Sequence, residues 1–170
     1  MTKILETYRL ILREFEEEDL LPLMEVIHNP DGGKCEESHA HRWIDWCISS
    51  YKKYGFGQYA VIYKETNELV GSIGLSMQMI DDELKPELGY HVRSDYHRRG
   101  ITKEASEALK DYFFTNFKYD ELFSYMDEDN VASYKAAETN GMKYLHLYTT
   151  KSGEVCRVYS ITRTGWLNSK

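Results

Sequence analysis

Residues 87–105 read ELGYHVRSDYHRRGITKEA, and this run holds most of the chain's readable chemistry. An apolar strand ends near Val92. A basic loop with one glycine follows, and then a helix begins. The N-terminus of a helix carries unpaired backbone N–H groups and a partial positive charge, so it is a natural seat for phosphate. Gly100 lets the backbone approach a ligand closely, and Arg98 and Arg99 add cationic donors. Taken alone, the run is equally well an ordinary strand-to-helix turn. It is not a Walker loop, because no Gly-Lys-Ser/Thr follows, and it has no G-x-G-x-x-G.

Elements on both sides must hold this loop in place. Leu10 and Leu12 alternate with Arg9, Ile11 and Arg13, which predicts a strand within 7–15. Residues 16–27 predict a helix with Leu20, Leu23, Met24 and Ile27 at helical spacing, and residues 29–33 a loop. A second helix is predicted over 39–54, with Trp43, Trp46, Cys47 and Tyr51 on one side and Gly55 and Gly57 ending it. Strands are predicted at 58–63, 69–77 and 86–92, and an amphipathic helix at 102–117. A strand at 122–126, a helix at 130–140 and a hairpin of 144–150 with 155–162 complete the chain. The fold class is therefore mixed α/β (α+β): a mostly antiparallel central sheet of about seven strands flanked by about four helices. With 170 residues and no linker or repeat, the expectation is a single domain over 1–170.

Composition narrows the function. A net charge of −7 argues against general nucleic-acid binding. The acids crowded between Glu14 and Glu37 read as a solvated helix face, or as an attraction for a cationic substrate. Cys35, Cys47 and Cys156 have no motif spacing and read as reduced thiols. Cys35, His39, His41 and Cys47 match no zinc pattern, so no metal is expected. No apolar run reaches the roughly 20 residues of a membrane span. The expectation is a cytoplasmic protein, monomer or homodimer, with no membrane and no nucleic-acid partner.

Nearly the whole chain resembles the GNAT N-acetyltransferases, and more closely their branch that acetylates ribosomal-protein N-termini. That branch opens with T-x-R-L-x-L-R, and residues 7–13 read TYRLILR. It has a strand like E-I-G-Y-W, matched by Glu87-Leu88-Gly89-Tyr90-His91, and a helix start G-Y-A-T-E-A, matched by Gly100-Ile101-Thr102-Lys103-Glu104-Ala105. It then carries N-x-x-S and Gly-Phe, matched by Asn130, Ser133, Gly141 and Met142. The resemblance implies acetyl-CoA as cosubstrate. Its pyrophosphate loop, Q/R-x-x-G-x-G/A, falls on His97, Arg98, Arg99, Gly100, Ile101 and Thr102, with amides from Arg98 to Lys103 holding the pyrophosphate. The pantetheine arm would pair with the backbone at Tyr90, His91 and Val92, Asn130 would bond the pantetheine, and Ser133 would sit near the thioester sulfur. His97 and Thr102 depart from the pattern. The tyrosine acid of many relatives falls at Ala137, which leaves Ser133 as the candidate acid.

The implied reaction is direct attack of a neutral amine on the thioester, with backbone N–H groups near residues 90–92 stabilising the oxyanion. Glu87 is the candidate base, acting directly or through water, against a plain reading as an edge-strand surface carboxylate. His91 is a second candidate, because imidazole titrates near neutrality. The acceptor is expected to be a protein N-terminal α-amine. The alternatives are a small-molecule amine (antibiotic, polyamine or amino acid) and an acyl-CoA sensor without turnover.

Overall fold

The computed structural model describes residues 2–28 and 32–170. Asn29, Pro30 and Asp31 of the expected 29–33 loop lie outside the described residues. Leu10 and Leu12 are fully buried while Ile11 is only partly so, as alternation requires. The expected 7–15 strand is nevertheless two strands, β1 (Lys3–Glu6) and β2 (Leu10–Arg13). Thr7 makes the break: its N–H donates to the Leu10 carbonyl and its Oγ1 accepts the Leu10 N–H, which closes a tight turn.

The first predicted helix is also shorter. It is one 3₁₀ turn, Glu17–Asp19, followed by α1 (Leu20–Met24). The acids before it are not all solvated. Arg13 forks onto both oxygens of buried Asp19 at 2.7 Å each, and Asp19 Oδ2 also accepts the Glu16 N–H. A buried carboxylate is tolerable there only because those donors replace water.

The next helix, α2 (Glu37–Tyr54), ends at Gly55 in the left-handed conformation (φ 80°). Then come β3 (Gln58–Tyr63), β4 (Glu68–Ile80) and β5 (Glu83–Val92). The turn between β4 and β5 places Asp81 and Asp82 at φ 54° and 60°, the signature of a two-residue hairpin with primed-turn geometry. Next are α3 (Ile101–Asn116), β6 (Glu121–Asp127), α4 (Val131–Thr139), β7 (Lys143–Thr149), β8 (Val155–Thr162) and α5 (Arg163–Asn168). Helix α5 was not expected; the Thr162 side chain caps it by accepting the Gly165 N–H.

Among the described residues the strands form an eight-stranded sheet in the order β1-β2-β3-β4-β5-β6-β8-β7. β5 and β6 pair parallel, with Glu87 opposite Phe123; β1–β2, β2–β3, β3–β4, β6–β8 and β7–β8 are antiparallel. The mixed, mostly antiparallel class expected from sequence holds. The extra strand comes from the Thr7 break and the extra helix is α5.

The chain forms two compact units, Met1–Leu75 with Gly89–Ala108, and Ser76–Leu88 with Leu109–Lys170. In the first, Leu23 of α1, Ile27 just beyond it and Ile44 of α2 share a core with Ala60 and Ile62 of β3. In the second, Ile80, Phe123 and Val158 form a small core, with Tyr125 and Tyr148 against it.

Candidate functional site

In the first unit, β5 ends at Val92 and the loop runs through a 3₁₀ turn, Ser94–Tyr96, to α3. His97 Nε2–H donates to the Val92 carbonyl at 2.7 Å, so this imidazole closes the loop on itself. Arg98 and Gly100 both take positive φ, 61° and 76°. Gly adopts that conformation freely, but an arginine does so at a cost of about 1–3 kcal/mol. The Gly100 carbonyl accepts the Glu104 N–H, so the amides of Ile101, Thr102 and Lys103 have no acceptor within the helix. Ile101 and Ala105 are buried and root this first turn. Arg93 and Arg99 lie over the Tyr96 ring at 4.9 and 4.5 Å, and the Tyr96 hydroxyl donates to Glu68. The loop is thus a turn with inward-anchored side chains and a row of backbone donors at a helix start, which fits a phosphate group.

Arg9, two residues from the turn at Thr7 that separates β1 from β2, reaches this loop. Its backbone N–H and Nε–H donate to Glu104 at 2.8 and 2.7 Å, and Thr7 Oγ1–H donates to the same carboxylate at 2.6 Å. Arg9 Nη1–H donates to the Arg99 carbonyl at 2.8 Å. These donors hold the Glu104 carboxyl below its usual range, against the opposing effect of its partial burial. The sequence shows the two motifs that supply these residues but not that they bond to each other.

The first unit also holds a ring cluster. His91 meets Trp43 edge-on at 5.3 Å, Trp46 meets Trp43 at 5.4 Å, and His39 lies 6.4 Å from Trp43. The Trp43 indole N–H donates to Ser72 Oγ, which fixes the central ring. Trp46 is 36% exposed, although its sequence spacing grouped it with fully buried Cys47. His91 keeps exposed surface, yet desolvation, and secondarily the charge of His28, depresses its pKa. His91 is therefore held toward its neutral form.

In the second unit, Glu87 is buried, so the plain surface reading fails. Ser76 Oγ–H donates to Glu87 Oε2 at 3.1 Å, and Gln78 Nε2–H donates to that same Ser76 oxygen. The Tyr125 N–H also bonds the carboxyl. Both bonds favour the anion, but desolvation outweighs them and pushes the Glu87 pKa up from 4.5 to about 7. Burial of this kind is how a carboxyl becomes a proton acceptor at neutral pH. The Tyr125 phenol is pushed up to about 12, first by desolvation and then by Glu87.

Asn130 caps α4, its Oδ1 accepting the Ser133 N–H at 3.2 Å. The Asn130 NH₂ group carries two further donors. Ser133 is half-buried in the first turn of α4, and Tyr134 packs under Arg157 with the guanidinium 4.5 Å from its ring. Ala137 is fully buried, where the tyrosine acid of other relatives would stand. Of the predicted site residues, Tyr90, His91, Val92 and His97 to Lys103 fall in the first unit. Glu87, Asn130 and Ser133 fall in the second. The three cysteines are free and buried, and desolvation raises the Cys47 thiol far above its usual range. Among the described residues no group of three His, Cys, Asp or Glu could hold a metal, and no helix is long and apolar enough to cross a membrane.

The first unit offers a loop of backbone donors that fits a phosphate, and the second offers a buried carboxyl with its pKa raised to about 7. The family description "Acetyltransferase (GNAT) domain" matches residues 9–143. The chain belongs to the GNAT acetyltransferases. It is similar to the YkkB protein of Bacillus subtilis (strain 168), 30% identical over 82% of this chain and 85% of that protein. It is also similar to the N-acetyltransferase p20 of Bacillus licheniformis, 27% identical over 91% of this chain and 92% of that one. In fold it resembles RimL, a ribosomal L7/L12 α-N-protein acetyltransferase solved with coenzyme A. That likeness has a TM-score of 0.75 and 16% identity, and covers 94% of this chain and 97% of that one. Membership makes this GNAT chain an N-acetyltransferase, and the fold implies acetyl-CoA as donor.

Proposed function

We propose that residues 1–170 act as one domain that acetylates the α-amine of a protein N-terminus, with Glu87 as the base. The observation that carries this reading is the buried Glu87 carboxyl, with its pKa raised to about 7. An α-aminium has a reference pKa of about 7.7–8.0 and a lysine ammonium about 10.4. Passing a proton to a base near 7 therefore costs about 1 kcal/mol from the first and about 4.6 kcal/mol from the second. The base suits the weaker amine, and RimL, a fold relative, is described as an α-N-protein acetyltransferase.

Acetyl-CoA supplies an acetyl thioester. The amides of residues 98–103 are assigned to its pyrophosphate, and Arg98 and Lys103 add cationic charge there. The strand backbone at Tyr90, His91 and Val92 is assigned to the pantetheine and to the charge developing on the acetyl oxygen. The Asn130 NH₂ is assigned as a pantetheine donor, and Ser133 as the acid toward the departing sulfur. The buried thiols suit a reducing compartment, so we place the protein in the cytoplasm, as monomer or homodimer.

One observation favours a second reading, a small-molecule amine: the His39, Trp43, Trp46 and His91 rings offer aromatic faces of the kind that hold a cation or a planar group. The deciding experiment is thiol release from acetyl-CoA with a panel of amines. Peptides with free N-termini are expected to drive release, and the same peptides with blocked N-termini are not. Release driven only by polyamines, amino acids or aminoglycosides would replace the first reading with the second. Acetyl-CoA binding without release would leave the sensor.

A further inference from the structure

We propose that Arg9 and Glu104 form a latch that sets the phosphate loop, making Arg9 a positioning residue for the acetyl donor rather than a group that touches it. The inference rests on the assignment of the loop to the pyrophosphate. Glu104 collects three donors, from Thr7 Oγ1, Arg9 N and Arg9 Nε, at 2.6–2.8 Å. The other end of the same guanidinium holds the Arg99 carbonyl at 2.8 Å. Nη2 lies so close to Gly100 that a Cβ placed there would sit 3.4 Å from it. One side chain therefore spans the last two loop residues and the first turn of α3.

The consequence follows from peptide geometry. In a trans peptide the C=O and the next N–H point in opposite directions. With the Arg99 carbonyl held toward Arg9, the Gly100 N–H is aimed away from Arg9. Gly100 has no Cβ and sits at φ 76°, so without the latch that peptide rotates with little hindrance. The charge of Arg9 is matched by Glu104, so Arg9 acts through orientation more than through attraction for an anion. Lysine cannot replace it: one ammonium cannot reach a carboxylate and a carbonyl along the two arms of a planar fork. The T-x-R and G-x-x-x-E patterns, far apart in the chain, become two halves of one device.

The test compares two donors, acetyl-CoA and acetyl-pantetheine, which keeps the thioester but lacks the pyrophosphate. In the wild type, acetyl-CoA is expected to be the better donor by kcat/KM. Arg9→Met is expected to reduce that preference about tenfold, equivalent to about 1.4 kcal/mol, with the loss read in KM for acetyl-CoA. Arg9→Lys is expected to lose most of the same preference. Glu104→Gln keeps the side-chain volume and is expected to act in the same direction, so the test stands even where Arg9→Met folds poorly. Equal losses with both donors would make the pair a fold support only and overturn the latch. An unchanged preference in all three variants would overturn it too. A wild type that uses both donors equally would overturn the loop assignment, and the latch with it.

Discussion

Replacing Glu87 with glutamine should stabilise the protein at alkaline pH while removing its activity. The carboxyl titrates at about 7 in the fold and at 4.5 when unperturbed. At about 1.36 kcal/mol per pH unit, that gap corresponds to about 3 kcal/mol. The sign follows from proton counting. Between pH 4.5 and 7 the folded chain keeps a proton that the unfolded chain has released, so raising the pH favours unfolding. The contribution is intact below pH 4.5 and lost above pH 7. Glutamine has the shape of the protonated acid and does not titrate. The stability advantage of Glu87→Gln over wild type should therefore widen by about 2.5 kcal/mol between pH 5 and pH 8. For a chain of this length that is about 5–10 °C in Tm. Urea unfolding of both proteins at the two pH values measures it, and any constant effect of the substitution cancels in the difference. In parallel, kcat/KM should fall by about 10²–10⁴. A gap that stays flat with pH would refute the buried-carboxyl argument. A widening gap with full activity would leave Glu87 buried but remove it as the base.

Ser76→Ala removes a donor that favours the Glu87 anion, so the acid limb of the kcat/KM profile should move up by about 0.5–1 pH unit; a limb that stays put would separate Ser76 from the base. Ser133→Ala keeps the α4 cap, which uses the Ser133 backbone N–H, so Tm should change by less than about 2 °C while kcat falls about tenfold or more. Unchanged turnover would remove Ser133 as the acid. Trp46→Ala should raise KM for the amine about 5- to 20-fold with KM for acetyl-CoA unchanged, because the ring is 36% exposed and packs on Trp43. Equal amine KM values would place the acceptor wall elsewhere.

Patterns that depend on near neighbours were legible in the sequence. Alternation at Leu10 and Leu12, the glycine at the end of α2 and the strand–loop–helix around Gly100 all appear where local spacing puts them. Features set by distant partners were not. Thr7 looks like one more strand residue until its hydroxyl is seen closing a turn onto Leu10. Asp19 reads as one of several surface acids until Arg13 is found beside it. Glu87 could be named as a base from its place in a motif, but nothing adjacent to it signals its titration range. That depends on burial beside β6, where Tyr125 donates its N–H, and on Ser76 of β4. Trp46 misled in the other direction: three positions from Trp43 it shares a helix side by counting, yet the helix turns it outward.

The Arg9–Glu104 contact joins segments 95 residues apart. During folding, α3 and its glycine turn can form from local bonds early, but the turn cannot be held in its final shape until the N-terminal strands have docked. Contacts of such long sequence separation close late, because loop entropy must be overcome first. Donor affinity should then be one of the last properties the nascent chain acquires. Acetyl-CoA would select fully assembled molecules over nearly folded ones, drawing the population toward completion by mass action.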